Sequence, residues 1–299
     1  HRISTCRLTM WYRIEIVLVS GRLGVWQIPG RHGLPRISKA PKTAKKRSGI
    51  AFMILHLPPV WRFIARHFAG LRKSLARHYI SPDVTACGFA GITYPFDSRV
   101  MDGKRLVALA AGAIEAEEIA LAEKYIDAND IVVEFGSGLG IAAARMHKAV
   151  TPKAHFCFEA NPVAVSYAKN LFQMNGLQID IDQRALGDGS KTAFYAADDY
   201  ILSSFDPPKN TRHFRKIEIP TVKLKTVIKD KRPTVIFCDI EGAEDKFLPP
   251  EDLAGVAKVI IELHPGLYGA EIVLRMKDRF LVAGFNCAAQ SKDTYCFLR

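Results

Sequence analysis

The sequence predicts an α/β fold with a doubly wound, mostly parallel sheet, and three observations support this prediction. From about residue 104 onward, short apolar runs alternate with stretches of helical periodicity, which is typical of a parallel sheet covered by helices on both faces. A glycine-rich turn at residues 136–140 joins one apolar run to the helix after it. The last two runs are separated only by the short turn 291–293, which predicts an antiparallel hairpin.

The elements follow one another without a long break. A helix is predicted over residues 106–126, a buried strand at 131–135, a helix at 141–150 and a strand at 155–158. Asn161 is expected to cap a helix whose first residue is Pro162, because these residue types favour those positions. Beyond it we predict strands at 178–185, 191–196, 217–222, 235–238 and 257–263, helices at 243–248 and 270–281, and closing strands at 284–289 and 294–298.

Composition allows a sizeable core and places the charge unevenly. Of 299 residues, 48% are hydrophobic and 24% charged, which excludes a largely disordered or collagen-like chain. The formal charge of +12 is concentrated at one end: residues 1–80 hold 16 Lys and Arg against the single acid Glu15, whereas residues 81–299 hold 26 against 29 acids. The basic character that would suggest a nucleic-acid partner belongs to the N-terminal quarter, and no nucleic-acid partner is expected.

The cysteines indicate the compartment. They are widely spread, without a C-x-x-C pair or a histidine at zinc-ligand spacing, which predicts reduced thiols, a cytoplasmic location and no metal site. The apolar run at 49–57 is about half the ~20 residues that a membrane span needs. The six cysteines are Cys6, Cys87, Cys157, Cys238, Cys287 and Cys296.

Three regions are predicted. Residues 1–52 form either a disordered basic arm or sequence upstream of an initiator at Met53, residues 53–103 a helical extension, and residues 104–299 the main domain. Within the extension, residues 59–79 read as a basic amphipathic helix. Such a helix can lie on an anionic membrane surface or pack on the main domain, and we favour packing. Its apolar positions are Trp61, Ile64, Phe68, Leu71 and Leu75.

The glycine turn and an acid after the next strand predict a nucleoside-containing cofactor. Glycines let a ligand approach the backbone, and the helix after the turn offers free amides at its N-terminus. Glu159, at the end of the next strand, is placed to accept the two hydroxyls of a ribose. The spacing G-x-G-x-G differs from the dinucleotide pattern G-x-G-x-x-G, and Glu134 stands two residues before the first glycine. An acid there suits the cationic cofactor S-adenosylmethionine (SAM) better than the pyrophosphate of NAD.

At this point the sequence resembles the class I SAM-dependent methyltransferases, and within them the FkbM-type family, over about residues 104–299. Residues 238–244, Cys-Asp-Ile-Glu-Gly-Ala-Glu, are similar to that family's D-[VI]-E-G-A-E signature, and residues 158–162 are similar to its F-E-P-N-P block. Residues 185–188 resemble its third motif. The first motif departs from the family pattern, because Glu134 replaces Asp and Ser137-Gly138 replaces Ala-Asn.

The resemblance implies roles for individual residues. Glu134 is expected near the amino group of SAM, Glu159 at the ribose, and Ala185 and Leu186 beside the adenine. Asp188 is expected to be a turn residue, and Glu118 either faces the cofactor or lies on a solvated helix face. The residues expected to line the methionine part of SAM are Gly136, Ser137, Gly138 and Gly140.

The reaction centre is predicted after the fourth and fifth strands. A carboxylate at Asp239 can orient an acceptor or take its proton, and His264 is suited to act as general base near neutral pH. Glu241 is a third catalytic candidate, and Glu244 either faces the crevice or caps the next helix. The turn Asp206-Pro-Pro-Lys209 lacks the aromatic of the amine-binding D-P-P-[YF] turn and is interpreted as a surface loop.

These observations predict an O-methyltransferase whose acceptor is a hydroxylated small molecule, sugar or secondary metabolite, with SAM as cofactor and no metal. The oxygen acceptor rests on the family resemblance. Two alternatives stay open: an NAD-linked dehydrogenase on a related fold, and a non-catalytic protein that binds membrane or nucleic acid through its basic N-terminal region.

Overall fold

The computed structural model describes residues 14–19, 22–27, 86–97, 99–101, 105, 108–109, 112–197, 203, 205 and 214–299. The predicted amphipathic helix 59–79 and the turn 206–209 lie outside these residues. The chain divides into two compact units, residues 1–55 and 56–299. In the first unit, strands β1 (Ile14–Val19) and β2 (Arg22–Gln27) form an antiparallel hairpin, which the sequence did not predict.

The second unit contains the remaining elements in chain order. They are β3 (Ala86–Phe89), β4 (Ile92–Pro95), α1 (Ala116–Tyr125), β5 (Ile131–Phe135), α2 (Ile141–Val150), β6 (Ala154–Phe158), α3 (Pro162–Met174), β7 (Asp180–Asp182), β8 (Ala185–Leu186), β9 (Lys191–Ala197), β10 (Phe214–Val222), α4 (Leu224–Lys231), β11 (Val235–Cys238), α5 (Glu244–Phe247), β12 (Lys258–Glu262), α6 (Pro265–Tyr268), α7 (Ala270–Val282), β13 (Asn286–Ser291) and β14 (Thr294–Leu298). A 3-10 turn, Pro250–Asp252, follows α5.

The central sheet has seven strands in the order β13-β14-β12-β11-β5-β6-β7. Strands β7, β6, β5, β11 and β12 are parallel, and β14 runs antiparallel to both β12 and β13. Helices cover both faces: α4 and α7 pack on one face, and α1 and α2 pack on the other. The predicted doubly wound sheet with a C-terminal antiparallel hairpin is confirmed.

Three sequence predictions need correction. The helix predicted over 106–126 is interrupted: residues 105, 108 and 109 are helical, but Gly112 and Glu115 have φ of 62° and 50°, and α1 begins at Ala116. The strand predicted at 178–185 is two strands, since β7 pairs with β6 whereas β8 pairs with β10 in a separate three-stranded sheet. The extension predicted as helical contains the hairpin β3–β4 where it is described.

The hairpin β3–β4 contributes to the core of the second unit. Its turn, Ala90-Gly91, has positive φ at both residues, as a tight hairpin requires. Tyr94 is fully buried, and the carbonyl of Pro95 accepts a hydrogen bond from the hydroxyl of Tyr167 on α3 at 2.8 Å. Within the described residues, no helix is long and apolar enough to cross a bilayer.

Candidate active site

The carboxyl ends of four adjacent parallel strands bring the predicted site residues to one edge of the sheet. The glycine turn follows β5, Glu159 follows β6, Asp239 follows β11, and His264 stands two residues after β12. The N–H of Asp239 donates to the carbonyl of Phe135 at 3.0 Å, and the N–H of Gly136 donates to the carbonyl of Phe158 at 2.9 Å. These bonds hold the loops against one another, at the place where ligands bind in open α/β sheets.

The three glycines of the turn all have positive φ, but the space around them differs. A Cβ on Gly136 would overlap the backbone carbonyl of Asp239, and one on Gly140 would lie 2.6 Å from the ring of Phe172. Both positions therefore exclude a side chain for packing reasons. A Cβ on Gly138 would meet nothing within 4 Å. Gly138 thus borders open space that a ligand can fill.

Glu159 is held in place by the turn itself. Its Oε2 accepts a hydrogen bond from the N–H of Gly138 at 2.8 Å, and its Oε1 accepts one from the N–H of Asn161 at 2.7 Å. The side chain is only 8% exposed, and burial raises its pKa to about 7 in spite of the hydrogen bonds, which lower it. The structure therefore places the predicted ribose acid beside the open position at Gly138.

Glu134 is buried within the sheet, where it contacts two side chains of the neighbouring strand β6. It is 1% exposed, and its Oε2 lies 3.1 Å from Nε2 of His155 and 3.7 Å from Sγ of Cys157. Neighbouring Ser137 is also buried, and its carbonyl accepts the N–H of Gly140 at 2.7 Å. Contact between Glu134 and a cofactor amino group stays a prediction.

Ala185 and Leu186 form the short strand β8 and are 7% and 4% exposed. Their pairing with Thr221 and Val222 on β10 fixes their backbone, and a role beside adenine stays a prediction. Asp188 accepts hydrogen bonds from the backbone N–H and the hydroxyl of Ser190, at 2.9 and 2.6 Å. These contacts are those of the turn residue that the sequence predicted.

The catalytic candidates form a second group around one imidazole. Nε2 of His264 lies 3.5 Å from Oδ1 of Asp239 and 3.4 Å from Oε2 of Glu241, and its Nδ1 lies 3.1 Å from Oε1 of Glu244. Glu244 is fully buried, and the same Oε1 accepts the N–H groups of Ile240 and Gly242 at 3.2 and 3.1 Å. Glu244 therefore shapes the loop after β11 and places a negative charge beside the imidazole.

The charges of this group influence one another. Burial opposes a charge on His264, but the carboxylates of Glu244, Asp239 and Glu241 outweigh it and raise the imidazole pKa to about 9. The pKa of Asp239 is raised well above its usual range, chiefly by burial and then by the negative charge of Glu241. The carboxylates therefore stabilise the protonated form of the imidazole.

Three further acids, one buried and two partly buried, interact with the charged residues of these groups. Glu115 Oε2 accepts the N–H of Ala142 at 2.7 Å, and burial together with the charge of Glu134 raises its pKa to about 8. Burial and nearby Glu118 raise the pKa of Glu262 to about 7. Glu118 is itself buried and accepts the hydroxyl of Thr294 at 2.9 Å, so it does not lie on a solvated helix face. The sequence feature that could have identified Glu262 is its position as an acid at the end of an apolar strand.

Two clusters have the ligand types of a metal site among the described residues. Glu134, His155 and Cys157 form one, and Asp239, Glu241 and His264 the other, with the ligand atoms of each within 4.8 Å of one another. In the first, burial raises the thiol pKa of Cys157 well above its usual range, which opposes the thiolate that a metal needs.

Comparisons with known proteins give only distant likenesses. No protein-family model matches the chain, and no curated protein matches it. Solved structures similar to it include a protein of the NADB-Rossmann superfamily from Streptococcus agalactiae, with 12% identity, a TM-score of 0.39, and coverage of 60% of this chain and 65% of that one. M. jannaschii TYW2 in complex with AdoMet has 16% identity, a TM-score of 0.41 and coverage of 74% and 86%.

Methyltransferase FkbM from Methylobacillus flagellatus KT has 14% identity to this chain and a TM-score of 0.41, and the match covers 80% of this chain and 59% of that one. At such values these likenesses carry no argument about this chain. The fold assignment rests on the strand order and directions of its own sheet.

Proposed function

We propose that this chain is a SAM-dependent methyltransferase that methylates a hydroxyl oxygen on a small molecule, sugar or secondary metabolite. The observation that carries the proposal is the pairing of open space at Gly138 with the buried carboxylate of Glu159, whose Oε2 accepts the Gly138 N–H at 2.8 Å. A nucleoside needs such a backbone approach beside an acid.

The charge of the site fits a cationic cofactor. Glu115, Glu159 and Glu262 all have pKa values raised to about 7 or 8, mainly by burial. A buried carboxylate gains stability from a nearby positive charge, and SAM carries two, an ammonium and a sulfonium. Glu159 would hold its ribose, and the glycine turn its methionine part. When bound, SAM supplies an activated methyl group with a good leaving group.

The chain's own task is then to align an acceptor and remove its proton. Alignment with exclusion of water accounts for much of the rate in such displacements. Asp239 and His264 stand together at the carboxyl end of β11 and β12, with Glu241 at the exposed rim. We assign proton removal to the pair of Asp239 and His264. The pKa values of both side chains are raised, and Nε2 of His264 lies 3.5 Å from Oδ1 of Asp239, so the two side chains take up and release protons as a pair.

Calorimetry with SAM tests the cofactor. We expect the unmodified chain to bind SAM, Glu159→Ala to lose most of the affinity, and Glu218→Ala, an exposed acid on β10, to keep it. Absence of SAM binding by the unmodified chain would refute the proposal. Thermal stabilisation by NAD but not by SAM would instead favour the dehydrogenase.

Labelled SAM and an extract of hydroxylated metabolites test the acceptor. We expect mass spectrometry to find the label on oxygen in the product, and label on nitrogen or carbon would refute the oxygen acceptor. Removal of residues 1–80 tests the binding-protein alternative. Unchanged methyl transfer together with unchanged liposome and RNA binding would dismiss it.

A further inference from the structure

We propose that Asp239, Glu241 and His264 bind a divalent cation of the Mg²⁺ or Mn²⁺ type, although the sequence predicted no metal. The three side chains come from two loops, after β11 and after β12, so their spacing along the chain gave no ligand motif. Folding brings one ligand atom of each residue within 4.8 Å of the other two.

The distances suit a shared ion. Two ligands at right angles, each about 2.1 Å from a metal, lie about 3 Å apart. Nε2 of His264 is 3.5 Å from Oδ1 of Asp239 and 3.4 Å from Oε2 of Glu241. A small inward movement of each side chain would therefore bring the ligand atoms to metal-binding distances. Glu241 is free to make this movement, because its side chain is 56% exposed.

The imidazole has a carboxylate beside the ring nitrogen that does not face the proposed cation. Histidines that bind metals generally direct the second ring nitrogen at a carboxylate, which fixes the ring. At His264, Nδ1 lies 3.1 Å from Oε1 of Glu244, a charge contact that is not aligned as a hydrogen bond. Two loop amides hold the same oxygen, so the carboxylate is itself fixed. Nε2 faces Asp239 and Glu241.

An unsatisfied oxygen gives a second, independent indication. Oδ1 of Asp239 is closed to solvent and has no hydrogen-bond partner. Buried polar atoms without a partner are rare and need an explanation. In the part of the chain that the structure describes, the only ion pair of Asp239 is with His264. A cation between the three ligands would satisfy this oxygen and neutralise the two carboxylates.

The ligand set indicates the type of metal. Two carboxylates and one imidazole leave several positions open, and carboxylate-rich sites suit Mg²⁺ and Mn²⁺. No thiolate takes part. If the proposed function is correct, an acceptor hydroxyl completes the coordination, and the cation lowers the pKa of that hydroxyl. In the cation-bound site Asp239 and His264 would serve as ligands and the proton of the hydroxyl would pass to solvent, so the proton removal assigned to them above applies to the site without a cation. This acceptor role rests on the proposed function, whereas cation binding does not.

Titration with Mn²⁺ alone, without SAM or acceptor, tests the site. Electron paramagnetic resonance measures free Mn²⁺ directly. We expect one Mn²⁺ per chain, an affinity at least about ten-fold weaker in Glu241→Gln, and an unchanged affinity in Glu218→Gln, which removes the same charge from an exposed position on β10. Because Glu241 is exposed, its variant should fold, which circular dichroism verifies.

Two results would overturn the inference: no Mn²⁺ binding by the unmodified chain, or equal binding by Glu241→Gln. SAM binding is measured by calorimetry without metal, as a separate experiment. Mn²⁺ binding without SAM binding would support the cation site and refute the methyltransferase. SAM binding without Mn²⁺ binding would support the methyltransferase and refute the cation site.

Discussion

Replacement of Glu159 by glutamine should change how the stability of the fold depends on pH. The carboxyl is 8% exposed and accepts the N–H groups of Gly138 and Asn161. Its pKa is about 7 in the folded chain, against a usual value of 4.5, and burial is the main cause. The folded chain thus keeps this proton to a higher pH than the unfolded chain.

The size of the effect follows from proton linkage. Between pH 4.5 and 7 the folded state binds more protons than the unfolded state, so the free energy of unfolding falls as the pH rises through that window. At about 1.4 kcal/mol per pKa unit, ionisation of this carboxyl lowers the free energy of unfolding by about 3 kcal/mol above pH 7. Glutamine does not ionise. Its single acceptor oxygen leaves one of the two amides without a good partner, which costs about 1–3 kcal/mol at every pH.

Urea denaturation followed by circular dichroism at about pH 5 and pH 8.5 measures both terms. Glu159→Gln should be less stable than the unmodified chain at the lower pH. The difference should shift in favour of the variant by about 2–3 kcal/mol at the higher pH. Glu123→Gln, which alters an acid that is 41% exposed, should leave the pH dependence unchanged. Equal pH dependence in the unmodified chain and Glu159→Gln would show that the carboxyl is not raised by burial, and would refute the reasoning.

Three further predictions concern packing, charge and thiols. Gly136→Ala should prevent normal folding, because its Cβ would overlap a backbone carbonyl. Gly138→Ala should lower the free energy of unfolding by only about 1–2 kcal/mol, because of its positive φ. Urea denaturation compares the two variants, and equal losses of stability would contradict the prediction. Lys258→Met should lower the free energy of unfolding by about 1–3 kcal/mol, because it leaves buried Asp130 without the ammonium at 2.6 Å; an unchanged urea midpoint would count against it. Of the cysteines whose side chains the structure describes, exposed Cys287 should react first with iodoacetamide in peptide mass spectrometry, and earlier labelling of a buried thiol would disagree.

The sequence predicted the elements whose patterns are local. Strands β5 and β11 and helix α2 have the predicted bounds, because apolar runs and a glycine turn mark their ends. The boundary of α1 was missed, since it depends on left-handed backbone at Glu115, a residue type that rarely adopts it. The split between β7 and β8 was missed because it depends on which distant strand each segment pairs with.

In the candidate site, too, the sequence predicted the residues marked by local patterns and missed those that depend on tertiary structure. Glu159, Asp239 and His264 were predicted from their places at strand ends, and the sheet brings those ends together. The position of Glu244 behind the imidazole was missed, because it depends on the loop after β11 turning back on itself at Glu241 and Gly242, with φ of 53° and 99°. The burial of Glu118 was left open against a solvated helix face, because helical periodicity does not show which polar positions face another acid.

The position of β14 has a consequence for the order of folding. β13 is made first, yet among the strands that the structure describes its only neighbour in the sheet is β14, which lies between it and β12. β13 therefore cannot join the sheet until residues 294–298 have been synthesised and inserted. Until then the apolar edge of β12 has no strand beside it, and unpaired edges are prone to aggregation. We therefore expect that, during synthesis, the exposed edge of β12 is the part of the sheet that most needs a chaperone to prevent aggregation.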